Sequence, residues 1–210
     1  MLRLPRLYPI VDAGGFETDE QLLAFARELL QGGATILQYR NKTSSPRQML
    51  AHARELRRVT QAAGALLFVN DRPDIAAAAD ADGVHLGQED LSASEVRRVF
   101  ATTVAGNPLL IGVSTHHPEQ LRAAADQPAD HLAIGPVFAT SSKARPDPVV
   151  GLEGVRAARA LTQRPLVAIG GITVDNAPAV IEAGADAVAV IGALRDEPRN
   201  SVAAFLRVLR

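Results

Sequence analysis

The chain has 210 residues, of which 47% are hydrophobic and 21% are charged, as in an ordinary globular protein. Its net charge of −1 provides no general attraction to nucleic acid or to an anionic membrane surface, and its 4% aromatic content argues against a stacking platform for single-stranded nucleic acid. The absence of cysteine excludes disulfides, thiolate metal sites and a cysteine nucleophile, and it is compatible with a cytoplasmic protein.

We expect neither a membrane span nor a secretory leader. No apolar run reaches about 18 residues, and the opening stretch MLRLPRLYPIVDA lacks the apolar core of a signal peptide. No composition break or flexible linker divides the chain, so residues 1–210 are expected to form one catalytic domain.

Short apolar runs recur along the chain, with helical patterns between them. The runs are LYPIVDA (7–13), TILQYR (35–40), LLFVND (66–71), GVHLG (83–87), LLIGVST (109–115), HLAIGPV (131–137), PLVAIGG (165–171) and AVAVIGAL (187–194). Apolar strands alternating with helices are typical of a parallel sheet covered by helices. Eight units predict an α/β fold, a compact (β/α)8 TIM barrel; a doubly wound open sheet is the alternative.

The first interval, DEQLLAFARELLQGG (19–33), illustrates the helical pattern. Leucines and alanines recur at the spacing of one helix face, as expected for a helix that covers a sheet. Thr18 or Asp19 suits the N-cap, and Gly32 and Gly33 suit the C-terminus.

The second run ends in polar residues at alternate positions, Gln38, Arg40 and Lys42. In (β/α)8 barrels the active site gathers at the carboxyl ends of the strands, so these side chains are expected at its mouth. Arg40 offers a planar fork for phosphate oxygens, and Lys42 offers a mobile point charge. Polar residues at strand ends are also common for structural reasons. The three residues together therefore indicate a binding site more strongly than any one of them does alone.

The third and fourth runs bring two acids to neighbouring strand ends. Asn70 and Asp71 end the third, and the fourth leads through His85 and Gln88 to Asp90. Two carboxylates suit Mg²⁺, which keeps several waters and takes phosphate oxygens as further ligands. The structural alternatives are helix caps, from Asp71 before the Pro73 helix and from Asp90 before a helix starting near Ser92.

The fifth run ends in STH (114–116), and the sixth leads into FATSSKARPDP (138–148), which carries Lys143. Lys143 adds a second mobile cation, or is a solvated loop lysine. The two-residue spacing of Ser114 and His116 does not by itself build a Ser-His-Asp triad. Of the other histidines, His85 is expected to point into the barrel, and His52, within a predicted helix, to lie at the surface or to fill space in the protein core. His117 and His131 have no special context.

The last two runs suggest a second anion site of a different kind. Gly170 and Gly171 precede an expected helix, and Gly192 follows the eighth run, with no basic residue among them. Backbone amides at such positions hold phosphate, and barrels often place a phosphate after strands seven and eight. The alternative is a tight turn without a ligand. One cationic site and one backbone site predict two small phosphorylated substrates.

The motifs LQYRNK, VNDRPDIA, GVHLGQEDL, GVSTH, AIGPVFATSSK, AIGGIT and GADAVAVIGAL together resemble the thiamine phosphate synthase family, over nearly the whole chain. The resemblance implies a transferase that joins 4-amino-2-methyl-5-hydroxymethylpyrimidine diphosphate to a thiazole phosphate, releasing pyrophosphate. It implies a Mg²⁺-assisted departure of pyrophosphate that leaves a resonance-stabilised pyrimidine cation, which the thiazole nitrogen captures. Such a reaction needs charge neutralisation and exclusion of water more than acid–base catalysis.

The resemblance also implies roles for individual residues. It assigns the pyrimidine diphosphate to Gln38, Arg40, Lys42, Asn70, His85, Gln88, Ser114 and Lys143. It assigns the thiazole phosphate to Thr140, Ser142, Gly171, Ile191 and Gly192. Asp71 and Asp90 would hold Mg²⁺, and Lys143, Ser114 and Arg40 would act in catalysis. Beyond the substrates we expect no nucleic acid or membrane partner, and a homo-oligomer is allowed.

Three positions depart from the family's usual residues. Tyr39 replaces a Leu, and we expect little consequence because it should face away from Gln38 and Arg40. Ser142 replaces a Thr and keeps the hydroxyl. Gly192 replaces a Ser, which removes a hydroxyl from the thiazole phosphate site and puts its affinity in doubt.

Three other functions are alternatives. A related thiazole tautomerase typically carries His where this chain has Pro136, and tends to lose the acid found here as Asp90. A non-catalytic regulator that binds thiamine phosphates would be expected to lose the carboxylates or the mobile lysine, all of which are present. A sugar-phosphate epimerase would need a set of metal-binding histidines at the strand ends, which we do not find.

Overall fold

A closed barrel of eight parallel strands organises the computed structural model, which describes residues 3–140 and 147–209. The strands are β1 (Leu7–Asp12), β2 (Ile36–Arg40), β3 (Leu66–Asn70), β4 (Gly83–Leu86), β5 (Leu110–Thr115), β6 (His131–Ile134), β7 (Leu166–Ile169) and β8 (Ala187–Val190). Each pairs with its sequence neighbours, and β8 pairs with β1. The (β/α)8 prediction is therefore confirmed, and the open-sheet alternative is wrong because the sheet has no edge.

A helix follows each strand. The helices are α1 (Asp19–Gln31), α2 (Pro46–Ala62), α3 (Pro73–Ala78), α4 (Ala93–Val99), α5 (Pro118–Ala125), α6 (Gly151–Leu161), α7 (Ala177–Glu182) and α8 (Pro198–Val208). Short 3₁₀ turns at Ala13–Gly15 and Gly192–Leu194 follow β1 and β8. As predicted, Thr18 caps α1: its side chain accepts from the Gln21 backbone N–H, and the Gln21 side chain accepts from the Thr18 N–H.

Alternation along the strands separates two apolar cores. Outward-facing residues such as Leu7 and Val11 pack under the helices in the larger core. The inward-facing cluster is Tyr8, Ile10, Ile36, Phe68, Ala133, Val167, Ala187 and Ala189. A Cβ on Gly112 would come within 2.2 Å of the His131 ring, so glycine there makes room for an imidazole inside the barrel. The lower barrel is thus filled, and open space remains only toward the mouth.

At the amino ends of the strands, one arrangement of charge occurs three times. In each case an acid lies immediately before an even-numbered strand. Its carboxylate accepts one hydrogen bond from a backbone N–H of the preceding odd-numbered strand. It accepts another from an arginine of the helix that comes just before that odd-numbered strand. The acids are Asp82, Asp130 and Asp186; the backbone donors are Leu67, Ile111 and Leu166; the arginines are Arg57, Arg97 and Arg159. The distances lie between 2.6 and 2.9 Å, so each acid ties two strands and a helix together away from the mouth.

Candidate functional site

The carboxyl ends of all eight strands open into one cavity of about 920 Å³. Every predicted site residue within the described ranges lines it: Gln38, Arg40, Lys42, Asn70, Asp71, His85, Gln88, Asp90, Ser114, Thr140, Gly171, Ile191 and Gly192. Ser142 and Lys143 lie outside the described residues. Residues separated by up to 154 positions in sequence are brought together because parallel strands all end at the same rim.

The two cations at the end of β2 each meet an acid. Arg40 Nη1 lies 2.8 Å from Asp12 Oδ2 of β1, and both side chains are largely buried. The Lys42 ammonium contacts the Asp71 carboxylate at the end of β3. Lys42 reaches Asp71 because β2 and β3 are neighbours and a lysine side chain spans the distance between adjacent strands. Asp12 was missed by the sequence analysis.

Asp71 and Asp90 form a carboxylate pair rather than helix caps. The N-cap of α3 is Arg72, and α4 is capped by Ser92, so neither capping alternative holds. Asp71 has a φ of 63°, a left-handed conformation that is unusual outside glycine and that sets the direction of its carboxylate. Asp90 accepts from the Gly87 backbone N–H at 2.7 Å.

The electrostatics of this pair suit a bound cation. Burial, and then contact with the Asp71 carboxylate, raise the pKa of Asp90 to about 6. Two neighbouring carboxylates repel each other when both are ionised, and a divalent cation bound between them stabilises the doubly ionised pair. Among residues 3–140 and 147–209 no cluster holds three or more His, Asp or Glu ligands. Two carboxylates are what Mg²⁺ commonly takes from a protein when phosphate supplies further oxygens, so the residues fit this ion.

A serine and two histidines form a chain down the barrel wall. Ser114 Oγ lies 2.9 Å from His85 Nε2, and His85 Nδ1 lies 3.2 Å from His131 Nε2. Burial lowers the pKa of His85 to about 4 and that of His131 well below its usual value, so both rings are neutral. His85 faces inward as predicted. Ser114 is hydrogen-bonded to His85 rather than to His116, and no carboxylate among residues 3–140 and 147–209 is hydrogen-bonded to His85 to complete a triad.

The contact of His131 with His85 inside the barrel was also not predicted, although the alternation in HLAIGPV indicates that His131 faces inward. His131 and Ala133 are two positions apart and both face inward. Two residues that line the cavity floor, Tyr8 and Gln38, carry buried polar atoms without a partner in the described barrel, Tyr8 Oη and Gln38 Nε2. His131 Nδ1 also lacks a partner there, but His131 does not line the cavity. With Ile10 and Val167 beside them, Tyr8 and Gln38 form an apolar recess with polar groups, suited to a flat heterocycle.

The glycines after β7 are required by close packing. Gly171 has a φ of 63°, and a Cβ there would lie 2.4 Å from the Ala139 carbonyl oxygen. The helix expected directly after them starts later, at Ala177, because Asn176 first closes a turn by accepting from the Thr173 N–H and donating to the Gly171 carbonyl. A Cβ on Gly192 would meet nothing within 4 Å. This rim therefore presents backbone groups at Gly171 and open space at Gly192.

One more histidine joins the rim. His116 Nδ1 lies 2.6 Å from the Gly135 carbonyl oxygen, and its Nε2 lies 3.6 Å from Asp147 Oδ2. Gln120 Oε1 accepts from the His116 backbone N–H. These contacts connect the end of β5 to the segment before α6, and none of them was predicted.

Cations, a carboxylate pair and a glycine rim around one cavity give this (β/α)8 barrel the candidate active site of an enzyme with small anionic substrates. Residues 7–194 match the family model described as thiamine monophosphate synthase, and the chain belongs to that family. The family and transferase predictions are thereby confirmed.

Two similar proteins and one solved structure agree with this assignment. The thiamine-phosphate synthase of Koribacter versatilis (strain Ellin345) is 53% identical over 211 residues, covering 99% of this chain and 97% of that protein. That of Chloroflexus aurantiacus is 44% identical, covering 98% and 91%. The thiamine phosphate pyrophosphorylase of Pyrococcus furiosus has a TM-score of 0.84 and 34% identity, covering 97% and 95% of the two chains. Within the described ranges, no helix combines the length and apolarity needed to cross a membrane.

Proposed function

We propose that this protein joins 4-amino-2-methyl-5-hydroxymethylpyrimidine diphosphate to a thiazole phosphate, giving thiamine phosphate and pyrophosphate. The observation that carries the proposal is the meeting of Arg40 and Lys42 with the Asp71–Asp90 pair at one cavity rim, with the glycine rim of β7 and β8 lining the same cavity. Two chemically different anion sites on one cavity suit two phosphorylated substrates better than one.

The diphosphate would lie against the ends of β2, β3 and β5. Arg40 and Lys42 form ion pairs with Asp12 and Asp71, which hold both cations at the rim. A diphosphate would draw these cations onto its own oxygens, with Ser114 as a further donor and Lys143, outside the described residues, as the predicted third cation. Asp71 and Asp90 would hold Mg²⁺, which when bound neutralises charge on the diphosphate.

The pyrimidine would occupy the recess below. Gln38 lines this recess and its Nε2 lacks a partner in the described residues, so this amide would be the donor to a ring nitrogen. Asn70, His85 and Gln88 line the same side; Gln88 Nε2 donates to the Ser114 carbonyl at 2.6 Å.

The chemistry requires little proton transfer from the protein. The bond from the pyrimidine methylene carbon to the diphosphate oxygen breaks, and its electron pair leaves with pyrophosphate. The thiazole nitrogen then donates its lone pair to form the new carbon–nitrogen bond. Cationic groups at the leaving oxygen lower the cost of this separation of charge, and Ile10, Val167 and Ile169 limit water around the cationic carbon. Neutral His85 and His131 add no positive charge beside it.

The thiazole phosphate would lie at the rim formed by Thr140, Gly171, Ile191 and Gly192, with Ser142 predicted to join from outside the described residues. Backbone N–H groups hold phosphate without a charged side chain. In this proposal the two substrates would lie on opposite parts of one mouth, so that the thiazole nitrogen could approach the pyrimidine methylene.

Formation of thiamine phosphate from both substrates and Mg²⁺ tests the proposal. Conversion of a thiazole tautomer without pyrimidine diphosphate would instead support the tautomerase; Pro136, which lines the cavity, has no proton to transfer in that role. A cytoplasmic location and assembly into a homo-oligomer stay predictions.

A further inference from the structure

Behind the diphosphate side of the cavity, a chain of hydrogen bonds runs from the loop after β2 to the start of α1. Tyr39 faces away from the cavity, as predicted, and is 1% exposed. Its Oη lies 2.8 Å from Asn41 Nδ2 and 2.8 Å from His52 Nδ1 of α2. His52 Nε2 lies 2.8 Å from Asp19 Oδ1, at the first residue of α1.

The direction of these hydrogen bonds follows from the Asn41 amide. Asn41 Oδ1 accepts from the backbone N–H groups of Thr43 and Ser44, at 3.1 and 3.0 Å, so its Nδ2 is the group that donates to Tyr39. The Tyr39 hydroxyl hydrogen is then directed to His52 Nδ1. His52 carries its own hydrogen on Nε2 and donates it to Asp19.

The phenol remains a donor over the whole working pH range. Burial, and more weakly the charge of Asp19, raise the pKa of Tyr39 to about 12 against the lowering effect of Asn41. The direction Asn41 to Tyr39 to His52 to Asp19 gives each donor in the chain an acceptor.

The loop held by Asn41 is the one that carries Lys42. Asn41 is 7% exposed and folds residues 41–44 into a turn through its Oδ1, while its Nδ2 also donates to Ser44 Oγ at 3.0 Å. Lys42 therefore leaves the backbone between two residues of this turn and reaches Asp71 from there. Without the Tyr39 hydroxyl, the Asn41 amide loses an acceptor that anchors it to α1 and α2.

We propose that Tyr39 is a positioning residue for the diphosphate site: through Asn41 it holds the 41–44 turn in the geometry that presents Lys42. This inference rests on the proposed function, and it reverses the expectation that a Tyr at this position has little consequence. Tyr39 and His52 do not line the cavity, so their effect on substrate passes through the turn.

The test compares Tyr39→Phe, His52→Leu and His52→Gln, with Thr60→Val as a matched control. Thr60 is a buried α2 residue whose hydroxyl donates to the Arg57 carbonyl, remote from the turn. For Tyr39→Phe we expect the KM for pyrimidine diphosphate, and the calorimetric Kd for inorganic pyrophosphate with Mg²⁺, to rise about fivefold to tenfold. The KM for thiazole phosphate should not change. His52→Leu should behave similarly, while His52→Gln, which can accept and donate, should restore most of the affinity.

The outcomes separate the possibilities. A purely structural Tyr39 would lower the unfolding midpoint and the active fraction, leaving both KM values and the pyrophosphate Kd at wild-type levels; that result overturns the inference. An equal loss of pyrophosphate affinity in Thr60→Val would also overturn it. Wild-type protein that makes no thiamine phosphate would reject the proposed function instead, while the pyrophosphate Kd would still report on Tyr39.

Discussion

Lys42 and Asp71, at the ends of neighbouring strands, form an ion pair at the barrel mouth. The same Asp71 carboxylate raises the pKa of Asp90, after the larger effect of burial. One acid thus faces both a cation of the diphosphate site and its partner in the proposed metal site. This sharing makes Asp71 the residue whose loss should affect both functions.

Asp71→Asn should reduce the turnover number by about 100-fold or more, because it removes half of the charge that would hold Mg²⁺ and frees Lys42 from its pair. Titration with Mn²⁺, followed by electron paramagnetic resonance, should show weakened metal binding in the same variant. Asp74→Asn is a suitable control, since Asp74 pairs with Arg72 at the start of α3 and does not line the cavity. Unchanged turnover and metal affinity in Asp71→Asn would remove Asp71 from the site.

Serine substitutions at two glycines of the rim should change the KM for thiazole phosphate in opposite directions. Gly192→Ser has open space and should lower the KM for thiazole phosphate severalfold, because the new hydroxyl can donate to the phosphate. Gly171→Ser should raise that KM and reduce stability, because a Cβ meets the Ala139 carbonyl at 2.4 Å and φ is positive. Steady-state kinetics with varied thiazole phosphate measures both. Similar kinetics for the two variants would contradict the proposed rim.

The buried histidines should make stability depend on pH. The unfolded chain binds protons at its histidines below about pH 6.5, whereas His85 in the folded protein resists protonation until about pH 4. The free energy of unfolding should therefore fall as the pH drops through this window. The lowered pKa of His85 should account for about 3 kcal/mol of the fall between pH 6.5 and pH 4. His131, whose pKa is also lowered by burial, should add to the fall.

His131→Leu isolates part of this effect. Urea unfolding at pH 7 and pH 5 should show a smaller loss of stability in the variant than in the wild type, because the His131 contribution is removed and that of His85 remains. Carboxylates common to both proteins cancel in the comparison. An equal loss in the two proteins would show that His131 is not kept neutral by burial.

The acids at the amino ends of the strands should matter for stability and not for substrate binding. Asp82→Ala removes the acceptor of the Leu67 N–H and of Arg57, and should cost about 2 to 3 kcal/mol in urea unfolding at pH 7. Asp82→Asn, which keeps a neutral acceptor, should cost less. Because the site lies at the opposite end of the barrel, both KM values should stay at wild-type levels in the folded fraction; a raised KM would contradict this separation.

The fold and the cavity lining were accessible from sequence for a physical reason. Parallel strands buried on both faces give continuous apolar runs, and the barrel brings every strand end to one rim, so Asp71 and Asp90 could be placed together by strand counting. The N-cap of α1 was narrowed to Thr18 or Asp19 from sequence, and the structure selects Thr18, which forms a capping box with Gln21.

The missed features depend on side-chain partners across strands. Asp12 was overlooked because its role depends on the register that places it beside Arg40. His131 was overlooked because alternation indicates only that it faces inward, and the space that Gly112 leaves for its ring is visible only in the structure. The Tyr39–His52 contact joins a strand to a helix, and no sequence pattern encodes that distance.

The most direct test is the coupling reaction itself. Purified protein with pyrimidine diphosphate, thiazole phosphate and Mg²⁺ should form thiamine phosphate and pyrophosphate in equal amounts, and omission of either substrate should abolish both products. Absence of thiamine phosphate at saturating concentrations of both substrates and metal would contradict the account.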